Sequence, residues 1–179
     1  SCFERISCED GLEPPGAHVG GFILGALVQT NFGSRRDLMV TGLPLGALLE
    51  QGPTPKAGPG SVMVVLAAED TLDSRQLGRL AMRAAFGLAR TGSYCSQGSG
   101  DFVVAFSTAN RRAHHPAAQV ESIMRLSDEH LAFEMLLLGV VEAVEEAVLN
   151  ALVAAETMTG RDGHTVHALP HGPLLDFAG

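Results

Sequence analysis

Two continuous apolar runs, separated by a stretch that cannot be regular structure, constrain this chain more than any other feature. The run GGFILGALVQT at 20–30 is bounded by glycine on one side and by Asn31-Phe32-Gly33 on the other. It reads as a buried strand ending in a turn. The run SVMVVLAA at 61–68 starts abruptly at Ser61 and reads as a second buried strand. Between them lies QGPTPKAGPG at 51–60, with three Pro and three Gly in ten residues, an exposed linker by composition. Strands without a polar alternate face need cover on both sides, so helices packed over sheet are expected.

The rest of the chain supplies those helices. Over 73–90, Leu77, Leu80, Ala81, Ala84 and Leu88 recur at helical spacing with arginines on the other face. TGSYCSQGSG at 91–100 is a small-residue loop, and DFVVAFS at 101–107 is a further strand. Ser127, followed by Asp128 and Glu129, is the expected N-cap of a long helix running to about Thr159 and stopped at Gly160. Segment 1–19 reads as loop, 37–42 as a weak strand, 43–50 as a short irregular piece, and 161–179 as loop with a short strand near 165–168. The order strand, linker, strand, helix, strand, helix gives a layered α/β domain.

Charge excludes several functions. Twelve basic against twenty acidic residues leave a net charge of −8, and Lys56 is the only lysine, which argues against binding nucleic acid. The most apolar stretches, 20–28 and 131–141, are too short to span a bilayer, and Glu134 interrupts the second. No membrane association is expected. Cys2, Cys8 and Cys95 match no zinc or redox spacing and read as reduced thiols, with a Cys2–Cys8 link as the alternative. No signal peptide is visible, which points to the cytoplasm; a first residue other than Met leaves a periplasmic setting open. His164, His167 and His171 are separated by Pro170 and glycine, with no metal-ligand spacing, and His114-His115 reads as a solvated loop pair. No metal is expected. Glu142, Glu145 and Glu146 form one acidic helix stripe, read either as a solvated face or as a contact supporting the site or a neighbouring subunit. No phosphate-binding fingerprint is present, and no cofactor is expected.

The chemistry concentrates at Gly58-Pro59-Gly60-Ser61, where linker meets strand. Read alone, this junction is either an ordinary loop-to-strand boundary or a site of autoproteolysis. In the second reading Ser61 Oγ attacks the Gly60 carbonyl, an N-to-O shift gives an ester, and water releases Ser61 as a new N-terminus. Its α-amine, with an ordinary pKa near 8, then serves as base for its own hydroxyl. Ser99 and Asp101 flank Gly100 at the entrance to a strand, so both side chains can point the same way. They read either as a turn cap or as an acid orienting a serine that bonds Ser61. Asn31 reads by itself as a turn residue that tolerates positive φ.

Six segments in order, VQTNFGSRRDL (28–38), GSVMVVLAAED (60–70), FGLARTGS (86–93), GSGDFVVAFSTAN (98–110), VVEAVEEAVLNAL (140–152) and TMTGRDGHTVHALP (157–170), resemble the DmpA family. These are the L-aminopeptidase/D-esterases and β-peptidyl aminopeptidases. The resemblance covers roughly residues 20–179 and implies a four-layer αββα sandwich like that of the ornithine acetyltransferases. It implies a precursor that cleaves itself, with Ser61 as nucleophile and Gly60 before the cut. Ser99 and Asp101 match the pair that polarises the nucleophile and holds its amine, and Asn31 matches an oxyanion donor. Residues 1–60 then belong to the C-terminal part of an α-subunit and 61–179 to a β-subunit, in one structural domain. The mature form would be an α/β heterodimer that associates into a higher homo-oligomer, acting on small peptides, amino-acid amides or esters. The family's longer N-terminal portion and its tyrosine near the oxyanion site have no counterpart, since Tyr94 lies in another region. The chain thus reads as a C-terminal part of the precursor. The alternatives are acyl transfer, for which the related enzymes use Thr where Ser61 stands, a pantetheine-type amidohydrolase, and an inactive fragment with a structural role.

Overall fold

The computed structural model describes residues 2–6, 22–49, 60–115, 118–120 and 122–170. Its main sheet has four strands in the order of the chain: β1 (Cys2–Ile6), β2 (Phe22–Asn31), β3 (Ser61–Ala68) and β4 (Gly100–Ser107). β1 and β2 pair antiparallel, as do β2 and β3; β3 and β4 are parallel, joined through the helix α2 (Ser74–Arg90). A second long helix, α3 (Leu131–Ala154), packs on α2 and on β1 and β2, while α2 covers β4.

Both helices lie on one face of the sheet. Leu24, Ala26, Val62, Val64, Leu66 and Ala68 point from the strands into them and meet Leu80, Ala84, Leu88, Phe133, Leu136, Val140 and Val144, all buried. Strand alternation sends the other residues to the opposite face. There Leu27, Met63, Phe102, Val104 and Phe106 are 44–64% exposed, and no described residue covers them. The expected layering of helix over sheet is present, and the described residues supply one helical and one sheet layer of it. At Gly87 the two helices approach so closely that a Cβ would stand 2.7 Å from the Val141 carbonyl oxygen.

Several boundaries differ from the sequence expectations. Residues 2–6 form strand β1 rather than loop, because register with β2, not any local signal in CFERI, recruits them. The weak strand at 37–42 is absent: Arg35–Asp37 is a single 3₁₀ turn, and positive φ at Thr41 and Gly42 reverses the chain. A short helix, α1 (Leu45–Leu48), follows. α3 starts later than expected, with His130 as its N-cap, and stops at Ala154 instead of near Thr159. Asp128 is taken from a cap role by α2. Its carboxylate accepts from Gln76 Nε2 at 2.8 Å and from Arg75, and Gln76 is fully buried. Beyond α3, β5 (Met158–Thr159) and β6 (Thr165–Val166) form a small hairpin. The linker 51–59, Cys8 and His171 lie outside the described residues. Among the described residues no helix is long and apolar enough to cross a membrane.

Candidate active site

The strand pairing alone brings together residues that are far apart in sequence. In the antiparallel pair β2–β3 the end of one strand meets the start of the other, so Asn31 lies opposite Ser61. In the parallel pair β3–β4 the two starts lie together, so Ser61 lies beside Gly100. All the predicted site residues, Asn31, Gly60, Ser61, Ser99 and Asp101, therefore gather at one edge of the sheet.

Ser61 is exposed and belongs to the open face of the sheet. Its Oγ leans over Gly100, where a Cβ would come within 3.2 Å of it. Gly60, immediately before, is the most crowded point of the edge. A Cβ there would stand 2.6 Å from the Asn31 carbonyl oxygen and 2.7 Å from Phe32 Cα. Only glycine fits that approach without moving backbone. The Gly60 carbonyl oxygen accepts a hydrogen bond from the Gly100 N–H at 3.2 Å.

Ser99 Oγ donates to Asp101 Oδ1 at 2.6 Å, so the predicted pair forms and its two side chains do share a direction. The second predicted link does not: among the described residues no hydrogen bond joins Ser61 Oγ to Ser99 or Asp101. The reason is the pleat. Asp101 pairs with the buried Val62 and shares its side of the sheet, whereas Ser61 and Gly100 share the other. Ser61 is exposed, and side chains of that kind change rotamer in picoseconds to nanoseconds.

Two residues passed over in the sequence also belong here. Gly100 separates Ser99 from Asp101, and only the register reveals that its N–H donates to the Gly60 carbonyl and that a Cβ on it would crowd Ser61 Oγ. Cys95, in the loop before β4, adopts φ +50 and has its amide bonded to Ser93 Oγ at 3.3 Å. Burial pushes its thiol pKa up, and a hydrogen bond to the nearby Asp101 carboxylate, together with that group's charge, pushes it further. Cys95 is a free thiol.

A cavity of about 560 Å³ opens under the same edge, between the segment Thr30–Arg35, Thr91–Ser93, the end of α3 at Val148 and Leu152, and His167–Pro170. It meets the site through Asn31 and does not include Ser61, Ser99 or Asp101. The acidic stripe lies elsewhere on α3: Glu142 and Glu146 are exposed, and Glu145 pairs with Arg90 at 3.0 Å. His114, His115, His164 and His167 are exposed, and no cluster among the described residues is suited to hold a metal ion.

Residues 14–166 match peptidase family S58. The chain belongs to that family. A β-peptidyl aminopeptidase, BapA, of Sphingosinicella microcystinivorans is 39% identical over 168 residues, covering 86% of this chain and 42% of its own length. Among solved structures, a Pyrococcus horikoshii protein superposes with TM-score 0.80 at 44% identity, covering 89% of this chain and 43% of that one. The L-aminopeptidase D-Ala-esterase/amidase of Ochrobactrum anthropi, described as a prototype of the serine aminopeptidases and a variant of the Ntn hydrolase fold, gives 0.78 at 40% identity, covering 88% and 43%. The chain spans about two fifths of the length of these relatives. The DmpA-type α/β architecture expected from the sequence is therefore its fold.

Proposed function

We propose that this chain carries the self-cleaving junction and the nucleophile of a serine aminopeptidase. The observation that carries the reading is the position of Gly60-Ser61. A hydroxyl nucleophile opens a buried strand, directly after a glycine whose carbonyl is hydrogen-bonded and whose Cα is pressed against Asn31 and Phe32.

In the first stage Ser61 Oγ adds to the Gly60 carbonyl carbon. The Oγ proton passes through the Ser99 hydroxyl to the Asp101 carboxylate and returns to the Ser61 nitrogen as the C–N bond breaks. Making that link takes a shift of the strand end at Ser61 as well as a turn of its side chain, because Ser61 and Asp101 lie on opposite sides of the pleat. Water then hydrolyses the Gly60–Ser61 ester, leaving a carboxylate on Gly60 and a free hydroxyl and α-amine on Ser61. This divides the chain into residues 1–60 and 61–179, which stay together through the eight paired residues of β3 against β2.

In the second stage the α-amine takes the Oγ proton as Oγ attacks the substrate carbonyl, and it protonates the departing amine. The Asn31 side chain, opposite Ser61, donates to the developing oxyanion. The Ser99–Asp101 pair holds the α-amine. Substrates are small peptides, amides or esters, the chemistry named for the relatives. The crowding at Gly60 favours an acyl residue with no side chain on the carbon next to its carbonyl, as in glycyl and β-amino-acyl groups.

Intact mass under denaturing conditions tests the reading. Two fragments meeting at Gly60/Ser61 are expected, and a single full-length species in Ser61→Ala. A wild-type chain that stays uncut through prolonged incubation contradicts it.

A further inference from the structure

We infer that the backbone N–H of Gly100 is an oxyanion donor, used first on the Gly60 carbonyl in self-cleavage and then on the substrate carbonyl. The inference rests on the self-cleavage reading and adds a residue to it. In the interior of a parallel pair, an amide in this position binds a permanent strand carbonyl. Here the first rung of the β3–β4 ladder ends on the carbonyl that is to be cut, at 3.2 Å.

As Ser61 Oγ adds to the Gly60 carbon, the π pair of the C=O moves onto the oxygen, and the Gly100 N–H already points at it. Such a donor costs no reorganisation when charge develops, which is the condition for a large effect. Collapse returns the pair and expels the Ser61 nitrogen. Once the ester is hydrolysed and Gly60 withdraws, the Gly100 N–H has lost its strand partner beside the nucleophile. The next carbonyl that Ser61 Oγ attacks brings its oxygen to the same place. Asn31 approaches from β2 and Gly100 from β4, so the two donors come from opposite neighbours of the nucleophilic strand.

Glycine at 100 also spares the nucleophile a close contact. The absence of a Cβ leaves the space into which Ser61 Oγ leans, since the built Cβ would stand 3.2 Å from that oxygen. One residue thus leaves room for the nucleophile and donates to the oxygen that becomes charged.

The test replaces the Gly100 amide with an ester by incorporating glycolic acid at position 100, which removes the N–H and adds no side chain. Self-cleavage of the full chain is followed by denaturing mass spectrometry. The ester chain is expected to cut about 10²–10³-fold more slowly than wild type, the usual loss for one oxyanion donor. Gly100→Ala keeps the N–H and is expected to slow cleavage by displacing Oγ. A second arm needs neither cleavage nor the ester. In the uncut Ser61→Ala chain, a scalar coupling across the hydrogen bond should join the Gly100 nitrogen to the Gly60 carbonyl carbon. Wild type cutting while the ester chain cuts within threefold of it overturns the role of Gly100 and leaves the self-cleavage reading standing. Absence of the coupling also overturns it. A wild-type chain that never cuts overturns the reading and this inference together.

Discussion

Replacing Asp101 with Asn alters one interaction of the site at nearly constant volume. The Ser99 hydroxyl donates to Asp101 Oδ1 at 2.6 Å, within the range of a hydrogen bond to a charged acceptor. Hydrogen bonds to charged groups contribute about 1.5–3 kcal/mol, against about 1 for neutral pairs. Asn keeps an acceptor oxygen but loses the charge and the capacity to take the Oγ proton. With 1.36 kcal/mol per factor of ten, the difference of about 0.5–2 kcal/mol between the two bonds slows cleavage at Gly60/Ser61 by about 2- to 30-fold, and loss of the proton acceptor slows it further. Asp101→Glu, which restores the charge on a longer arm, recovers part of the rate. The assay is the half-time of the full-length species by denaturing mass spectrometry, with equal melting temperatures confirming that both variants are folded.

The same substitution has a readout independent of cleavage. The Cys95 thiol is held above its ordinary pKa first by burial and then by the Asp101 carboxylate. Removing that charge lowers the thiol pKa, so Cys95 reacts faster with iodoacetamide at pH 8 in a Cys2→Ser/Cys8→Ser background. Faster alkylation with unchanged cleavage would show that the Asp101 charge sits where described yet takes no part in the chemistry. Cleavage by Asp101→Asn within threefold of wild type refutes the argument.

Two further predictions concern stability. Gln76 is fully buried and bonds the Leu126 carbonyl, Asp128 and the Asp73 amide, at 2.8, 2.8 and 3.1 Å. Gln76→Leu removes all three bonds, while Asp128 keeps Arg75 and Arg125, at a cost of about 2–4 kcal/mol, a fall in Tm of roughly 5–15 °C for a chain of this size; an unchanged Tm refutes it. Asp70, just past β3, has a buried Oδ2 with no partner among the described residues, and burial, with Glu69 adding repulsion, pushes its pKa from 3.8 up to about 6. The folded chain therefore binds more protons than the unfolded one between those values, and stability falls as pH rises across the window. Asp70→Asn should raise Tm at pH 8 and lose that advantage by pH 4; an equal effect at both pH values refutes the assignment.

What the sequence made legible followed from continuous apolar runs and helical spacing. β3, β4 and α2 are read within a residue because SVMVVLAA, DFVVAFS and the Leu77–Leu88 stripe are local signals. β1 was invisible because CFERI becomes a strand only by pairing with β2. The start of α3 was misread because Asp128, a plausible first-turn acid, has a stronger partner 52 residues away in Gln76. Of the candidate site, Ser61, Ser99, Asp101 and Asn31 are polar groups at strand ends that a sequence can single out; Gly100 carries no side chain, and its place beside them exists only in the register.

The register also accounts for a glycine followed directly by the proposed nucleophile at the proposed junction. Antiparallel pairing to β2 and parallel pairing to β4 both begin at Ser61, so the preceding peptide is gripped from both sides. From β2 comes steric pressure, with the Asn31 carbonyl oxygen 2.6 Å from where a Cβ at Gly60 would be; from β4 comes a donor to the Gly60 oxygen. A residue later, at Val62, the side chain is buried in the core and the strand is paired on both sides, leaving no room for attack. Among the described residues of this segment, the peptide both held and reachable is the one preceding Ser61. Moving the nucleophile tests this: Ser61→Ala combined with Val62→Ser should not cut at the new position, because the displaced hydroxyl faces the helices. Cleavage between residues 61 and 62 in that double variant would show that sequence context, and not strand register, selects the bond.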